Sequence, residues 1–206
     1  PRKSQISAVI PCYNSEKTIV SLVQKLSHQL QGISTDFEII LVNDGSSDST
    51  WLVLEGLLNH EFNIRIIDLA RNFGQHNATL CGVLEAQYET IITLDDDFQN
   101  PPEQIQLLLD KLEQGFDIVY GVPRVKRHNH YRRWGSTLAR KLLAGLGVKN
   151  AERLSSFRIF KQKLTADLQG PFGPVVCLDQ LLNYRTDRVG EIEVNHEASD
   201  QNSRYN

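Results

Sequence analysis

Apolar residues along this chain change their spacing repeatedly, from short unbroken runs to recurrences three and four apart. Residues 6–10 form a compact apolar run, after which Ile19, Leu22, Val23, Leu26 and Leu30 fall at helical spacing. A second run at 37–42 predicts another strand, followed by a polar turn at 43–49 and a helix carrying Trp51, Leu54, Leu57 and Leu58. Residues 64–69 read as a third strand, and 74–88 as a helix with small residues on its packing face. The fourth run, Ile91, Ile92, Thr93 and Leu94, ends at once in Asp95, Asp96 and Asp97. A helix at 101–114, with Ile105, Leu108, Leu109 and Leu112, and a strand at 117–120 follow. Apolar runs of this length suit strands buried on both faces, and strands alternating with helices of about 10–15 residues mark βαβ units. The pattern therefore predicts an α/β fold with a mainly parallel sheet flanked by helices on both faces.

Open sheets of that kind build their sites at the carboxyl ends of their strands. In extended chain Asp95 and Asp97 project to one side and Asp96 to the other. With the Gln99 amide oxygen two residues on, Asp95 and Asp97 make a hard, incomplete oxygen set that suits Mg²⁺ or Mn²⁺. The same residues also suit a plain acidic turn that caps the next helix, with Asn100 as N-cap and Pro101 at N1. Two further strands end in polar clusters, one at Pro11, Cys12, Tyr13, Asn14, Ser15 and Glu16, the other at Asn43, Asp44, Gly45 and Ser46. Such residues are what turns prefer in any case. Together, however, the three ends put Tyr13, Asp44 and Asp95 on one edge of one sheet. Tyr13 can border a flat base, Asp44 can accept from a ribose hydroxyl or a base imide, and a metal can hold a diphosphate. No Gly-x-Gly-x-x-Gly follows the first strand and no Walker-type loop is present, which argues against a dinucleotide enzyme and an ATPase.

Composition sets the class. With 206 residues, 40% hydrophobic and 23% charged, the chain suits one soluble α/β domain or a domain with an appendage. Cys12, Cys81 and Cys177 are odd in number and lack metal spacing, so free thiols in a reducing compartment are expected. No apolar stretch approaches the roughly 18 residues of a membrane span, and no signal peptide is visible. The chain has no Met and stops at Asn206 without an evident helix end, so it reads as a piece of a longer protein. The net charge of −3 hides a polarity: from 118 to 151 there is no acidic residue, whereas Arg124, Lys126, Arg127, Arg132, Arg133, Arg140, Lys141 and Lys149 are basic. With Tyr131 and Trp134 among them, the stretch 124–141 suits a nucleotide diphosphate, a phosphorylated acceptor or an anionic membrane surface, and equally a solvated helix face. Nucleic acid is not expected as a partner, because the aromatics are few and not at stacking intervals.

Four strings, in order, carry a resemblance: Val9-Ile10-Pro11-Cys12-Tyr13-Asn14-Ser15-Glu16; Val42-Asn43-Asp44-Gly45-Ser46-Ser47-Asp48-Ser49-Thr50; Arg71-Asn72-Phe73-Gly74-Gln75-His76; and Asp95-Asp96-Asp97-Phe98-Gln99-Asn100-Pro101-Pro102-Glu103. They resemble the family 2 glycosyltransferases of GT-A fold, and the Gly-Gln-His and Gln-Asn-Pro-Pro-Glu forms are most similar to the polyprenyl-phosphate branch. The resemblance implies a single catalytic domain with a Rossmann-like sheet. Its donor half would be 1–121 and its acceptor half 122–206, cut before a membrane or C-terminal segment. It implies inverting, metal-dependent transfer of a sugar from a nucleoside-diphosphate sugar, UDP-linked, to a polyprenyl phosphate in cell-envelope glycan or lipid glycosylation. The setting would be cytoplasmic, at the inner face of the membrane. Pro11, Tyr13, Glu16 and Asp44 would hold the nucleotide, with Asp96 grouped beside them. Asp95, Asp97 and Gln99 would hold the Mg²⁺ or Mn²⁺, and Asp97 counts as catalytic.

Weaker matches continue. Ser155-Ser156-Phe157-Arg158 is similar to a segment whose arginine meets phosphate, and Asn202-Ser203-Arg204-Tyr205 is similar to a Gly-x-Ser-Lys-Tyr segment. Departures concern the acceptor: Glu152 stands where the family often has aspartate, His196-Glu197-Ala198-Ser199 lacks the branch's arginine, and Asn202 replaces glycine. Conversely, Leu178-Asp179-Gln180-Leu181-Leu182-Asn183-Tyr184-Arg185 resembles the Glu-Asp-x-x-Leu-x-x-Arg helix of members that act on hydroxyls, with Asp179 as general base. Asp179 reads equally as an exposed acid near a helix N-terminus. In either chemistry the cation, joined by Arg158, would stabilise charge on the departing phosphate oxygen. A phosphate acceptor needs no base, whereas a sugar hydroxyl does. A different class also stays open, a nucleotide-sugar-binding module without catalysis.

Overall fold

The structure, a computed structural model, describes residues 4–59, 62–124, 155–168 and 177–195. Glu152, Tyr131, Trp134, His196, Asn202 and the basic stretch beyond Arg124 lie outside the described residues. β1 (Ser4–Cys12), β2 (Ser34–Asn43), β3 (Ile64–Asp68), β4 (Thr90–Thr93), β5 (Ile118–Pro123), β6 (Arg158–Lys161) and β7 (Val189–Val194) form one seven-stranded sheet in the order β3-β2-β1-β4-β6-β5-β7. All pairings are parallel except those of β6, which runs antiparallel to both β4 and β5. Five helices flank it among the described residues: α1 (Ile19–Ile33), α2 (Thr50–Leu57), α3 (Gln75–Leu84), α4 (Ile105–Glu113) and α5 (Leu178–Tyr184).

Alternation along each strand divides the core into two layers. Ile6, Ala8 and Ile10 of β1, Ile39 and Leu41 of β2, and Ile92 of β4 pack with the buried faces of α1, α2 and α4. Val9, Ile40, Val42 and Ile91 point the other way and pack with Ala78 and Val83 of α3 and Leu178 and Leu182 of α5. The helical spacing expected at Ile19, Leu22, Val23, Leu26 and Leu30 is the buried stripe of α1. On α3 the small residue is the point of closest approach: a Cβ on Gly82 would lie 2.5 Å from Val9 Cγ1 and 3.0 Å from Val42 Cγ2.

Three expected boundaries shift, each for a tertiary or steric reason. α3 stops at Leu84 and does not reach 88, because the Gln87 and Tyr88 N–H groups donate to Glu38 Oε1 at 2.8 Å and Ser7 Oγ at 3.1 Å on the sheet below. Neither Asn100 nor Pro101 starts the next helix as N-cap and N1. Each precedes a proline, which disfavours helical backbone, and a 3₁₀ turn at Pro102–Gln104 leads into α4. The strand before the acidic cluster ends at Thr93, so extended-chain alternation does not govern Asp95, Asp96 and Asp97.

β6 carries the second half of the chain into the middle of the sheet, and one buried carboxylate locks that end. Asp117, 3% exposed just ahead of β5, accepts from Lys163 Nζ at 2.9 Å, Arg188 Nε at 2.8 Å, Lys161 Nζ at 3.2 Å and Thr186 Oγ1 at 3.0 Å. Burial pushes its pKa up, but Lys163, Arg188, Lys161 and Thr186 together outweigh it and hold the carboxyl well below the usual range. A depressed folded-state pKa gives stability that is present above the unfolded value near 4 and lost as pH falls through the folded one. Asp117→Asn is therefore expected to lower unfolding free energy by about 2 kcal/mol at pH 7. The deficit should shrink below about pH 4. Urea unfolding at pH 7 and pH 3 checks this, and an equal deficit at both values would contradict it.

Candidate active site

β2, β1 and β4 are adjacent and parallel, so the loops that leave their carboxyl ends meet on one edge. The loop after β3 joins them. Asp44 is fully buried there, with Oδ1 accepting the Phe73 N–H at 2.7 Å and Oδ2 the Gly74 N–H at 2.9 Å. Burial raises its pKa and those two backbone bonds oppose the rise. Gly45 next to it has φ +61°, and a Cβ on it would lie 2.4 Å from the Arg71 carbonyl carbon and 2.5 Å from the Asn72 nitrogen. Backbone thus lies directly on backbone, which only glycine permits. Gly45→Ala is expected to destabilise the protein by roughly 2 kcal/mol or more. A thermal melt checks this, and wild-type melting would remove the close approach as a requirement.

The loop after β1 is fastened to the loop after β2. Asn14, at φ +53°, donates its N–H to Ser46 Oγ at 3.0 Å and accepts from Ser47 N–H at 2.9 Å. Ser15 N–H donates to Thr50 Oγ1 at 2.7 Å. Glu16 Oε2 accepts the Ser49 N–H at 3.0 Å, and Glu16 N–H donates to Asp48. Pro11 is buried within β1 opposite Val42, and Tyr13 is half-buried at the rim. Tyr13 and Asp44 therefore stand at the same edge. Glu16 is occupied in holding the second loop.

Beyond Thr93 the chain turns. Gln99 N–H donates to Asp97 Oδ1 at 3.0 Å, and Phe98 sits at φ +62°. Asp95 Oδ1 accepts from the Gln75 amide and Oδ2 from Ser156 Oγ at 2.5 Å, so it faces α3 and β6. Asp96, grouped above with the nucleotide contacts, is 6% exposed and accepts from Tyr13 N–H and the Ser15 hydroxyl. Burial lifts the Asp95 pKa to about 6; the Ser156 bond pulls it down, and the negative charges of Asp97 and Asp96 add to the rise. Carboxylates that crowd one another in this way fit a divalent cation, whose charge would turn repulsion into attraction. Among the described residues no three His, Cys, Asp or Glu side chains form a metal cage.

A cavity of about 370 Å³ opens beside Asp95, lined among others by Gln75, His76, Ser156, Arg158, Cys177 and Asp179. A wider cleft of about 900 Å³ lies around Asp117 and Arg188 at the amino ends of β5 and β7, away from these carboxylates. Arg158 and Asp179 form a buried ion pair on the cavity wall, 2% and 3% exposed, and Arg158 Nε also donates to Thr93 Oγ1 at 3.1 Å. Asp179 is thus no exposed helix acid. Burial raises the pKa of the nearby Tyr120, the Asp179 charge adds to the rise and the Arg158 charge opposes it. At the cavity mouth, burial and then the Arg158 charge lower the His76 pKa, while Asp179 opposes them. Gln75, His76 and Ser156 lie in the strings quoted above, yet no local signal pairs them with Asp95 or with the cavity. Arg124, the one described member of the basic stretch, pairs with Glu193 at 3.3 Å on the β5–β7 edge.

The sequence pattern of Glycosyl transferase family 2 matches residues 7–174. The chain is 34% identical over 204 residues to undecaprenyl-phosphate 4-deoxy-4-formamido-L-arabinose transferase of Proteus mirabilis (strain HI4320), a match covering 94% of this chain and 60% of that protein. The chain therefore spans 60% of the length of that curated relative. Its structure is similar to glucosyl-3-phosphoglycerate synthase from Mycobacterium tuberculosis in complex with Mn²⁺, UDP and glucosyl-3-phosphoglycerate, with a TM-score of 0.72 and 21% identity over 97% of this chain and 73% of that one. The same synthase in complex with Mn²⁺ and UDP-glucose gives a TM-score of 0.70 and 20% identity, covering 98% of this chain and 73% of that one.

Proposed function

Because the chain belongs to glycosyl transferase family 2 and has the GT-A fold, we propose that it is the catalytic part of an inverting glycosyltransferase acting on polyprenyl phosphate. The donor is a nucleoside-diphosphate sugar, UDP-linked. Residues 1–121 form the donor half and 122–206 the acceptor half. Supporting this are the relative that carries undecaprenyl-phosphate in its name and the neighbours captured with Mn²⁺ and UDP or UDP-glucose.

The observation that carries the choice of acceptor is the Arg158–Asp179 pair. A hydroxyl acceptor needs a general base in reach, and a carboxylate clamped by a guanidinium in a buried site is a poor one. A phosphate monoester is already ionised near neutral pH and attacks without deprotonation. Asp179 then serves to hold Arg158, and Arg158 to present positive charge to the cavity wall.

Tyr13 borders the base and Asp44, held by the Phe73 and Gly74 N–H groups, keeps the loop after β3 against the base edge. Asp95, Asp97 and Gln99 would hold Mg²⁺ or Mn²⁺, which supplies positive charge to the departing diphosphate. The acceptor oxygen forms its bond to the anomeric carbon from the face opposite the diphosphate. The bond to the phosphate oxygen breaks with its electron pair, and the configuration inverts. Ser156 and Gln75 keep Asp95 oriented during that step. The basic stretch 124–141 would meet the anionic lipid at the inner, cytoplasmic membrane face. Among the described residues no helix is long and apolar enough to cross a membrane.

The test is transfer from UDP-sugars with Mn²⁺ to undecaprenyl phosphate, compared with free sugars, read by mass spectrometry with the anomeric configuration by NMR. An inverted, lipid-linked product is expected. Transfer to hydroxyls alone would move the reading to a soluble enzyme, and UDP binding without turnover on any acceptor would make the chain a binding module.

A further inference from the structure

Asp96 lies between the two carboxylates assigned above to a cation, but its bonds run elsewhere. Its Oδ2 accepts the Tyr13 N–H at 3.3 Å and the Ser15 hydroxyl. Ser15 passes the connection on through its own N–H to Thr50 Oγ1 at 2.7 Å, and Thr50 donates its hydroxyl to Asp48 Oδ1 at 2.5 Å. One path of hydrogen bonds therefore links the loop after β4, the turn after β1 that carries Tyr13, and the first turn of α2. The links are short-range and enclosed: Asp96 is 6% exposed, and Ser15 and Thr50 are fully buried. Buried polar groups hold their partners tightly, because an orphaned one loses its full hydration.

The Gln99 N–H to Asp97 Oδ1 bond and the left-handed Phe98 close a turn at 97–99. Asp96 joins Asp95 to that turn through the backbone, so a shift of either neighbour reaches it. We propose that Asp96 is a positioning residue: it transmits occupancy of the Asp95–Asp97 cation site to the Tyr13 turn, so that cation and nucleotide base are bound cooperatively through the protein. This rests on the cation reading above. The negative charges of Asp96 and Asp97 both act on Asp95, so a cation there changes the forces on all three. The role differs from the nucleotide contact expected for Asp96. It needs no direct touch between Asp96 and any ligand.

The experiment titrates Mg²⁺ alone, with no nucleotide, into the ¹⁵N-labelled protein and follows the Gln99, Tyr13, Ser15 and Thr50 amide resonances. In the wild-type protein all four are expected to move with one saturation curve. In Asp96→Ala, Gln99 should still titrate with an affinity within twofold of wild type, while Tyr13 and Ser15 stop responding and UDP affinity in Mg²⁺ falls at least fivefold. Ser15→Ala leaves the acidic cluster and the direct Tyr13 N–H to Asp96 bond intact but removes the hydroxyl link, so the amides of position 15 and Thr50 should fall silent while Tyr13 still titrates, which decides the matter if Asp96→Ala does not fold. A Gln99 that never responds in wild type overturns the cation reading and this proposal together. A responding Gln99 with a static Tyr13 overturns this proposal alone. So do a Tyr13 that still titrates in Asp96→Ala, loss of the Gln99 response in that variant, and an unaltered Thr50 response in Ser15→Ala.

Discussion

Asp97→Ala is expected to lower sugar transfer by about 10²–10³-fold or more while leaving the fold nearly unchanged, because in the proposed mechanism the cation it would hold acts on charge that develops in the reaction. Within the cluster, Asp97 is the cleaner probe. Asp95 joins Gln75 and Ser156 across two elements and Asp96 anchors the Tyr13 turn, whereas the Asp97 carboxylate accepts a local bond from Gln99. Loss of that local bond should cost about 0.5–1.5 kcal/mol. The measurements are initial rates with saturating Mn²⁺, calorimetric Mn²⁺ binding, and a thermal melt of the same sample. Full activity, or weakened activity with wild-type Mn²⁺ affinity, would remove Asp97 from the cation site.

The second large effect concerns stability. Arg158 and Asp179 are buried together, and removing one partner leaves the other as an uncompensated charge. Arg158→Met or Asp179→Leu alone should therefore cost about 3–5 kcal/mol. In a protein of this size that lowers the melting temperature by roughly 6–20 °C. The double variant replaces two charges by apolar groups and should recover most of the loss, since exchanging a buried ion pair for packed side chains is often neutral. A double-mutant cycle reads the coupling directly. Additive single effects would mean that the pair is solvated or only loosely formed. The milder Asp179→Asn, assayed at low temperature, separates structure from chemistry: transfer to lipid phosphate is expected to persist, and its abolition in a folded protein would return Asp179 to the role of base.

Much of the sheet was legible in the chain because the signals are local. The stripe of α1, the leucines of α4 and the runs of β1, β2 and β4 follow from spacing alone. The polar ends of those strands were legible for the same reason, and the fold assembles them at one edge. β6 was not. Its four residues, Arg158, Ile159, Phe160 and Lys161, pair with β4 and β5 from a distant part of the chain, and two apolar residues between two basic ones carry no local distinguishing mark. The end of α3 was hidden likewise, because it depends on Glu38 and Ser7 offering acceptors to residues 87 and 88.

The sequence by itself determined which residue types stand at the strand ends, and so the chemistry available there: hard oxygens, a tyrosine and an aspartate set on turns. Periodicity and side-chain identity are properties of neighbouring residues. Only the tertiary structure decided how each carboxylate is employed. Asp95 meets Gln75 and Ser156, Asp96 meets Tyr13 and Ser15, and Asp179 meets Arg158, in every case across at least 20 positions of chain. A charge is steered by whichever distant donors share its buried surroundings, since interactions strengthen where water is excluded. That is why three adjacent aspartates, alike in sequence, have separate partners in the fold.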